Sequence, residues 1–116
     1  MENVSLTALA SEQLEAARQA SSGRASRTVY GGHEHSLRQT LIALLAGQEL
    51  SEHENPGEAT VHVLQGQVDL SAQEEVVSGS AGDLLVVPDA RHALTAVQDS
   101  VVLLTVAKRI PDSTGR

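Results

Sequence analysis

Gly82-Asp83-Leu84-Leu85-Val86-Val87-Pro88-Asp89-Ala90-Arg91-His92 is a short aliphatic run held between breakers. Gly82 and Asp83 open it, and Pro88, which has no amide hydrogen for a sheet ladder, closes it. A strand with one solvated face alternates apolar and polar residues, so a run without alternation has both faces covered. Two further runs share this property: Thr40-Leu41-Ile42-Ala43-Leu44-Leu45 and Val101-Val102-Leu103-Leu104-Thr105-Val106. Around them, segments rich in Val, Leu and Thr are divided by Gly31-Gly32, Gly47, Asn55-Pro56-Gly57, Gly66, Gly79 to Gly82, Pro88-Asp89 and Asp99. This rhythm predicts eight strands, at 27–30, 37–45, 59–64, 68–71, 74–77, 83–87, 93–97 and 100–107. Gly79-Ser80-Ala81-Gly82 reads as a hairpin connection. The fold class expected is all-β, a barrel or a sandwich.

Ahead of the strands, Leu6, Leu9, Ala10, Leu14, Ala17 and Ala20 recur at helical spacing, with Glu12, Gln13, Glu15 and Arg18 on other faces. A helix is expected over 6–20, capped by Ser5 or Ser11, stopped by Ser21-Ser22-Gly23, and packed on the outside of the fold. The organisation is then a helix and connector at 1–26, a β-barrel at 27–109 and a polar, proline-led tail at 110–116 that frays. One helix covers only part of the outer faces that the continuous runs imply. A second copy of the chain is expected to cover the rest through a two-fold interface, with the Val101 to Val106 run in it and Leu103 or Leu104 facing outward.

Composition narrows the function classes. A chain of 116 residues makes one domain. Eight basic against fifteen acidic side chains leave a net charge of -7, which repels phosphate backbones and anionic lipid, so neither nucleic acid nor membrane is an expected partner. Tyr30 is the single aromatic residue, which removes the stacking platforms that bases and sugars use. No cysteine means no disulfide framework, no thiolate nucleophile and no Cys-based metal site. No apolar stretch nears the roughly 18 residues that span a bilayer, and the start of the chain is acidic and amphipathic, so a cytoplasmic location is expected. There is no Gly-x-Ser-x-Gly elbow and no glycine-rich phosphate loop.

Five histidines are the notable candidates for ligation or acid–base work. His53 and His62 straddle the Asn55-Pro56-Gly57 turn, and His92 follows Pro88-Asp89-Ala90-Arg91. In the strand at 59–64, alternation puts Ala59, Val61, Val63 and Gln65 on one face and Thr60, His62 and Leu64 on the other, so His62 should point away from an interior. His33-Glu34-His35 alternate across what reads as an extended segment, which places both rings on one side as surface groups. Arg24, Arg27 and Arg38 are expected in surface or subunit ion pairs, and Arg91, beside His92, is the basic group placed to meet an anionic ligand.

The stretch Gly47-Gln-Glu-Leu-Ser-Glu-His53-Glu-Asn55-Pro-Gly57-Glu58-Ala59, ending at Gly66, resembles the first motif of the cupins, and Gly82 to His92 resembles their second. The resemblance runs from about Leu37 to Ala107 and implies a small jelly-roll-type β-barrel with the helix packed outside. It also implies a facial site for a divalent metal, zinc, nickel, manganese or iron, built from two histidines and a glutamate of the first motif and a histidine of the second. Here only His53 and His92 keep their places. Asn55 stands at the second histidine, and Ala59, or Thr60 by the longer spacing, stands at the glutamate. His53 and His92 either converge at the barrel mouth or serve as hydrogen-bonded structural residues. A metal shared by them would need Asn55 or Glu58 to complete its shell. Two readings follow: a metal-binding cupin acting on a small organic molecule, with Arg91 and Gln65 touching the ligand, or a metal-free barrel that binds a small ligand or a protein without catalysis. Neither implies an organic cofactor, the fold does not name a reaction, and the cavity should be aliphatic.

Overall fold

Ser5 accepts a hydrogen bond from the Ala8 amide at 3.2 Å and so satisfies one of the free donors at the start of α1, Leu6–Gln19. Of the two expected caps, Ser5 is the one used, and Gly23 beyond the helix takes a φ of +67° that suits glycine. The structure, a computed structural model, describes residues 1–52 and 57–108. His53, Asn55 and the tail at 110–116 therefore lie outside the described residues.

After α1 come β1 (Arg24–Tyr30), β2 (Leu37–Leu44), β3 (Glu49–Glu52), β4 (Gly57–Gln65), β5 (Gln67–Ala72), β6 (Glu75–Ser80), β7 (Leu84–Val87), β8 (His92–Ala96) and β9 (Ser100–Lys108). They form a five-stranded sheet of order β1-β2-β9-β4-β7 and a four-stranded sheet of order β3-β8-β5-β6, antiparallel throughout. The two sheets face each other in a jelly-roll arrangement with α1 outside, as expected. β3 escaped the sequence reading. Leu50 is its single apolar residue among Glu49, Ser51 and Glu52, too little for a pattern, and it forms because its backbone pairs with β8. The Gly79 to Gly82 stretch is not a hairpin connection: β6 and β7 lie in different sheets, and the tight turn, closed by the Ser80 amide on Asp83 Oδ2 at 2.8 Å, carries the chain from one to the other.

Two apolar layers result. Ile42, Leu44, Val61, Val63 and Val102 from the larger sheet meet Val68, Leu70 and Leu94 from the smaller one. On the outer side of the larger sheet, Leu41, Ala43, Val101 and Leu103 lie beneath Leu9, Ala10, Leu14 and Ala17 of α1. The continuous runs of β2 and β9 are thus explained within one chain. This corrects the expectation that a second copy covers Val101 to Val106. Leu103 packs in the layer under α1, and Leu104 packs against the interior layer instead of facing outward.

One end of the sandwich is pinned shut. Ser100, fully buried, donates its one proton to the Gln98 carbonyl at 2.8 Å, with the Gln67 carbonyl oxygen also within 3.1 Å, and accepts from the Gln67 amide at 3.1 Å. Gly66, at φ +83°, approaches the Asp99 carbonyl and the Ser100 side chain so closely that no Cβ fits. At the other end stand the start of β4, the end of β5, the end of β7 and the start of β8, where the candidate site lies.

Candidate functional site at the mouth of the sandwich

His92 opens β8 and pairs with Ala72 of β5 and Glu52 of β3. Two residues along, the row Leu50, Leu94 and Leu70 faces the interior, so alternation aims His92 inward as well. Its Nδ1 lies 2.8 Å from the Ala90 carbonyl oxygen. A carbonyl can only accept, so in the neutral ring Nδ1 carries the proton and Nε2 keeps its lone pair. The Pro88 to Arg91 turn thereby fixes both the tautomer and the ring orientation.

His92 stands between two unlike spaces. On the interior side, Ile42, Leu50, Val61, Leu70 and Leu104 help to enclose about 20 Å³, room for about one water molecule. The wall is aliphatic apart from the imidazole, as the composition led one to expect. On the other side is a polar groove of about 350 Å³ lined by Ser51, Ser71, Ala72, Gln73, Arg91, His92 and Ala93. Ser51 and Ser71 both oppose Ala93 on β8, one from each side, which brings two hydroxyls to the same outer row. The Ser71 hydroxyl donates to the Ala93 carbonyl at 3.4 Å, and the Ser51 hydroxyl donates to Glu49 Oε1 at 2.7 Å. Gln73, at φ +57° in the turn between β5 and β6, closes the groove beside Ala72.

Of the residues singled out from sequence, the structure brings Arg91 and His92 together at this groove. Gln65 is at the far end of β4, past the irregularity at which it pairs with Val101, and does not share the mouth with His92. Glu58 is exposed and alternates with the buried, inward Ala59, so its carboxylate lies on the outer side of the sheet. His62 is on the outward face of β4, as alternation required, since Val61 and Val63 on either side are in the interior layer. His33, Glu34 and His35 are exposed but not extended. The His35 amide bonds the Gly32 carbonyl at 3.2 Å in a turn, and the His35 ring meets Tyr30 edge-on at 5.4 Å between centroids. Among Arg24, Arg27 and Arg38, Arg24 donates to the Glu49 carbonyl at 3.3 Å. Ser51, Ser71 and Gln73 had no signal in the sequence, because only the pairing of β3, β8 and β5 places them together.

The donor set can be tested against a metal. Among the described residues no group of three His, Asp or Glu side chains converges, Glu58 faces away from His92, and His53 and Asn55 lie outside the described residues. The described residues supply one imidazole, which alone does not make a metal centre.

No protein-family model matches the chain, and no curated protein matches it in sequence. Solved structures do. A conserved protein of unknown function from Streptococcus pyogenes is 32% identical, with 78% of this chain and 79% of that one covered at a TM-score of 0.70. An RmlC-like cupin from Desulfovibrio desulfuricans is 28% identical, covering 72% of this chain and 81% of that one at a TM-score of 0.63. A cupin superfamily protein from Desulfitobacterium hafniense is 20% identical, covering 74% and 78% at a TM-score of 0.68. Two facing antiparallel sheets with a histidine at the open end define a jelly-roll domain. The chain belongs to the cupin superfamily.

Proposed function

We propose that this chain is a small ligand-binding cupin that holds a small organic anion in the groove at its mouth, beside His92. The observation that carries this reading is His92 itself, fixed by the Ala90 carbonyl with Nε2 left as an acceptor, in a groove that Arg91 also lines. Arg91 supplies charge for a carboxylate, and Nε2 accepts from a hydroxyl or amide of the same molecule. The ligand is small because the groove offers about 350 Å³ and the interior behind His92 adds only about 20 Å³. A small 2-hydroxy acid, titrated against the amide signals of labelled protein, tests this. Arg91→Gln should weaken binding about tenfold, and His92→Ala should remove the preference for a hydroxylated acid over its deoxy counterpart. If both variants bind like the parent, the reading is wrong.

A divalent metal held by His92 with His53 is the second reading, and the Nδ1 bond to Ala90 favours it, since ligating imidazoles are commonly oriented through their other nitrogen. Such an ion would supply a Lewis acid at the mouth. Elemental analysis of untagged protein, with calorimetric titration of zinc, nickel and manganese into the parent, His53→Ala, His92→Ala and Asn55→His, decides it. Asn55→His should tighten binding, and parent-like affinity in both alanine variants would exclude a shared ion.

A further inference from the structure

Val77 faces the interior without being covered by it. In the register of β5 with β6 it stands opposite Leu70, so both side chains point to the inner side of the four-stranded sheet, yet Leu70 is 5% exposed and Val77 49%. Two residues further along β6, Gly79 stands opposite Val68 and close against β7, where a Cβ would meet Leu85 Cδ1 at 3.0 Å. There the two sheets touch. β6 and β7 are the edge strands of their sheets and form no ladder with each other among the described residues. Toward the mouth their edges therefore part, and a cleft of about 480 Å³ opens between them, walled by Leu70, Val77, Leu85 and Pro88. Its volume is in the range of small-molecule sites, roughly 300–1,000 Å³.

This cleft adjoins the groove beside His92 at the turn between β5 and β6. Ala72 and Gln73 border both spaces, and Ala90 on the cleft side is followed by Arg91 on the groove side. Gln73 bends the chain there in a left-handed conformation, φ +57°, that side chains other than glycine adopt rarely. The two spaces differ in charge. Glu75 and Asp89, both acidic, border the cleft, and no lysine or arginine does, whereas Arg91 borders the groove. A carboxylate is thus attracted to the groove and repelled from the cleft, while an aliphatic chain gains by leaving water for the cleft walls. Tyr30, the single aromatic residue, is not among those walls, so they suit a flexible alkyl chain better than a flat ring. We propose that the cleft between β6 and β7 takes the alkyl tail of the ligand, which makes that ligand a medium-chain hydroxylated carboxylic acid. Its head lies at Arg91 and His92, and its chain passes Gln73 to rest on Leu70, Val77 and Leu85. The assignment of the head rests on the anion reading of the groove; the assignment of the tail rests on the cleft.

Titration with 2-hydroxypropanoate, 2-hydroxyhexanoate and 2-hydroxyoctanoate, followed through the amide and methyl signals of labelled protein, tests this. The dissociation constant should fall about two- to fourfold for each added methylene. The methyl signals of Leu70, Val77 and Leu85 should move with the two longer acids and stay still with the shortest. Val77→Asp sets a carboxylate in the path of the tail, and should abolish the gain with chain length while the shortest acid binds as it does to the parent. Should that variant fail to fold, the methyl signals of the parent decide. Affinity that does not rise with chain length overturns the proposal, even where the shortest acid binds at Arg91 and the reading of the groove stands. Hexylamine binding more tightly than the hexanoate overturns it as well, since the cleft would then select a cation through Glu75. Hexan-1-ol that moves the three methyl signals at the same concentrations as the hexanoate upholds the cleft as an alkyl site and sinks the anion reading of the groove instead.

Discussion

The two sheets of this sandwich present opposite outer faces. The outward residues of the four-stranded sheet include Glu49, Ser51, Asp69, Ser71, Ser78 and Thr95, joined by short polar contacts such as Ser78 to Asp69 at 2.6 Å. The outward residues of the five-stranded sheet include Leu41, Ala43, Val101, Leu103, Leu84 and Val86. Both sheets send aliphatic side chains into the same interior, so the interior does not distinguish them. What lies outside does. A solvated face leaves alternation in its strands, a covered face removes it, and the three continuous runs in this sequence all belong to the five-stranded sheet.

That contrast can be broken by mutation, and the effects should follow burial. Leu41, fully buried between sheet and helix, should lose about 2–5 kcal/mol on change to Ala, measured by urea unfolding. A loss under about 1 kcal/mol would mean that α1 is a loose cover and not a second core layer. Ser100→Ala strips the hydroxyl that accepts from the Gln67 amide and donates to the Gln98 carbonyl at the pinned end, and should cost about 1–3 kcal/mol. Ser5→Ala removes the cap of α1 and should cost about 1 kcal/mol. In that variant, amide exchange should quicken first in the opening turn of the helix. On the solvated sheet, Thr95→Val should change stability by no more than about 0.5 kcal/mol, since the Thr95 hydroxyl makes only an exposed 3.4 Å contact with Glu49. A large effect there would erase the distinction between the two faces.

Much of the fold was legible. The helix ended one residue short of its predicted stop, and the eight predicted strands all exist. What failed did so for identifiable reasons. β3 has one apolar residue and depends on the backbone of β8. The His33 to His35 segment has the period of a strand, yet the Gly32 carbonyl captures the His35 amide and turns it. For the site, the second motif placed Arg91 and His92 at the mouth, but alternation along β4 could not foresee the irregularity after Val63 that carries Gln65 out of step, nor could local spacing say that Glu58 turns outward.

By itself the sequence determined the fold class, the helix, the aliphatic interior and the inward or outward sense of residues within a regular strand. These follow from periodicity and breakers, which are local properties of a chain. Only the tertiary structure decided which cover each outer face receives, that Ser51 and Ser71 meet Arg91 and His92 in one groove, and that Leu84 and Val86 are left bare. Continuous apolar runs demand that both faces be covered, but the demand is equally met by a helix of the same chain or by another molecule. The choice rests on the order of strands in the sheet, a long-range pairing that no local pattern encodes.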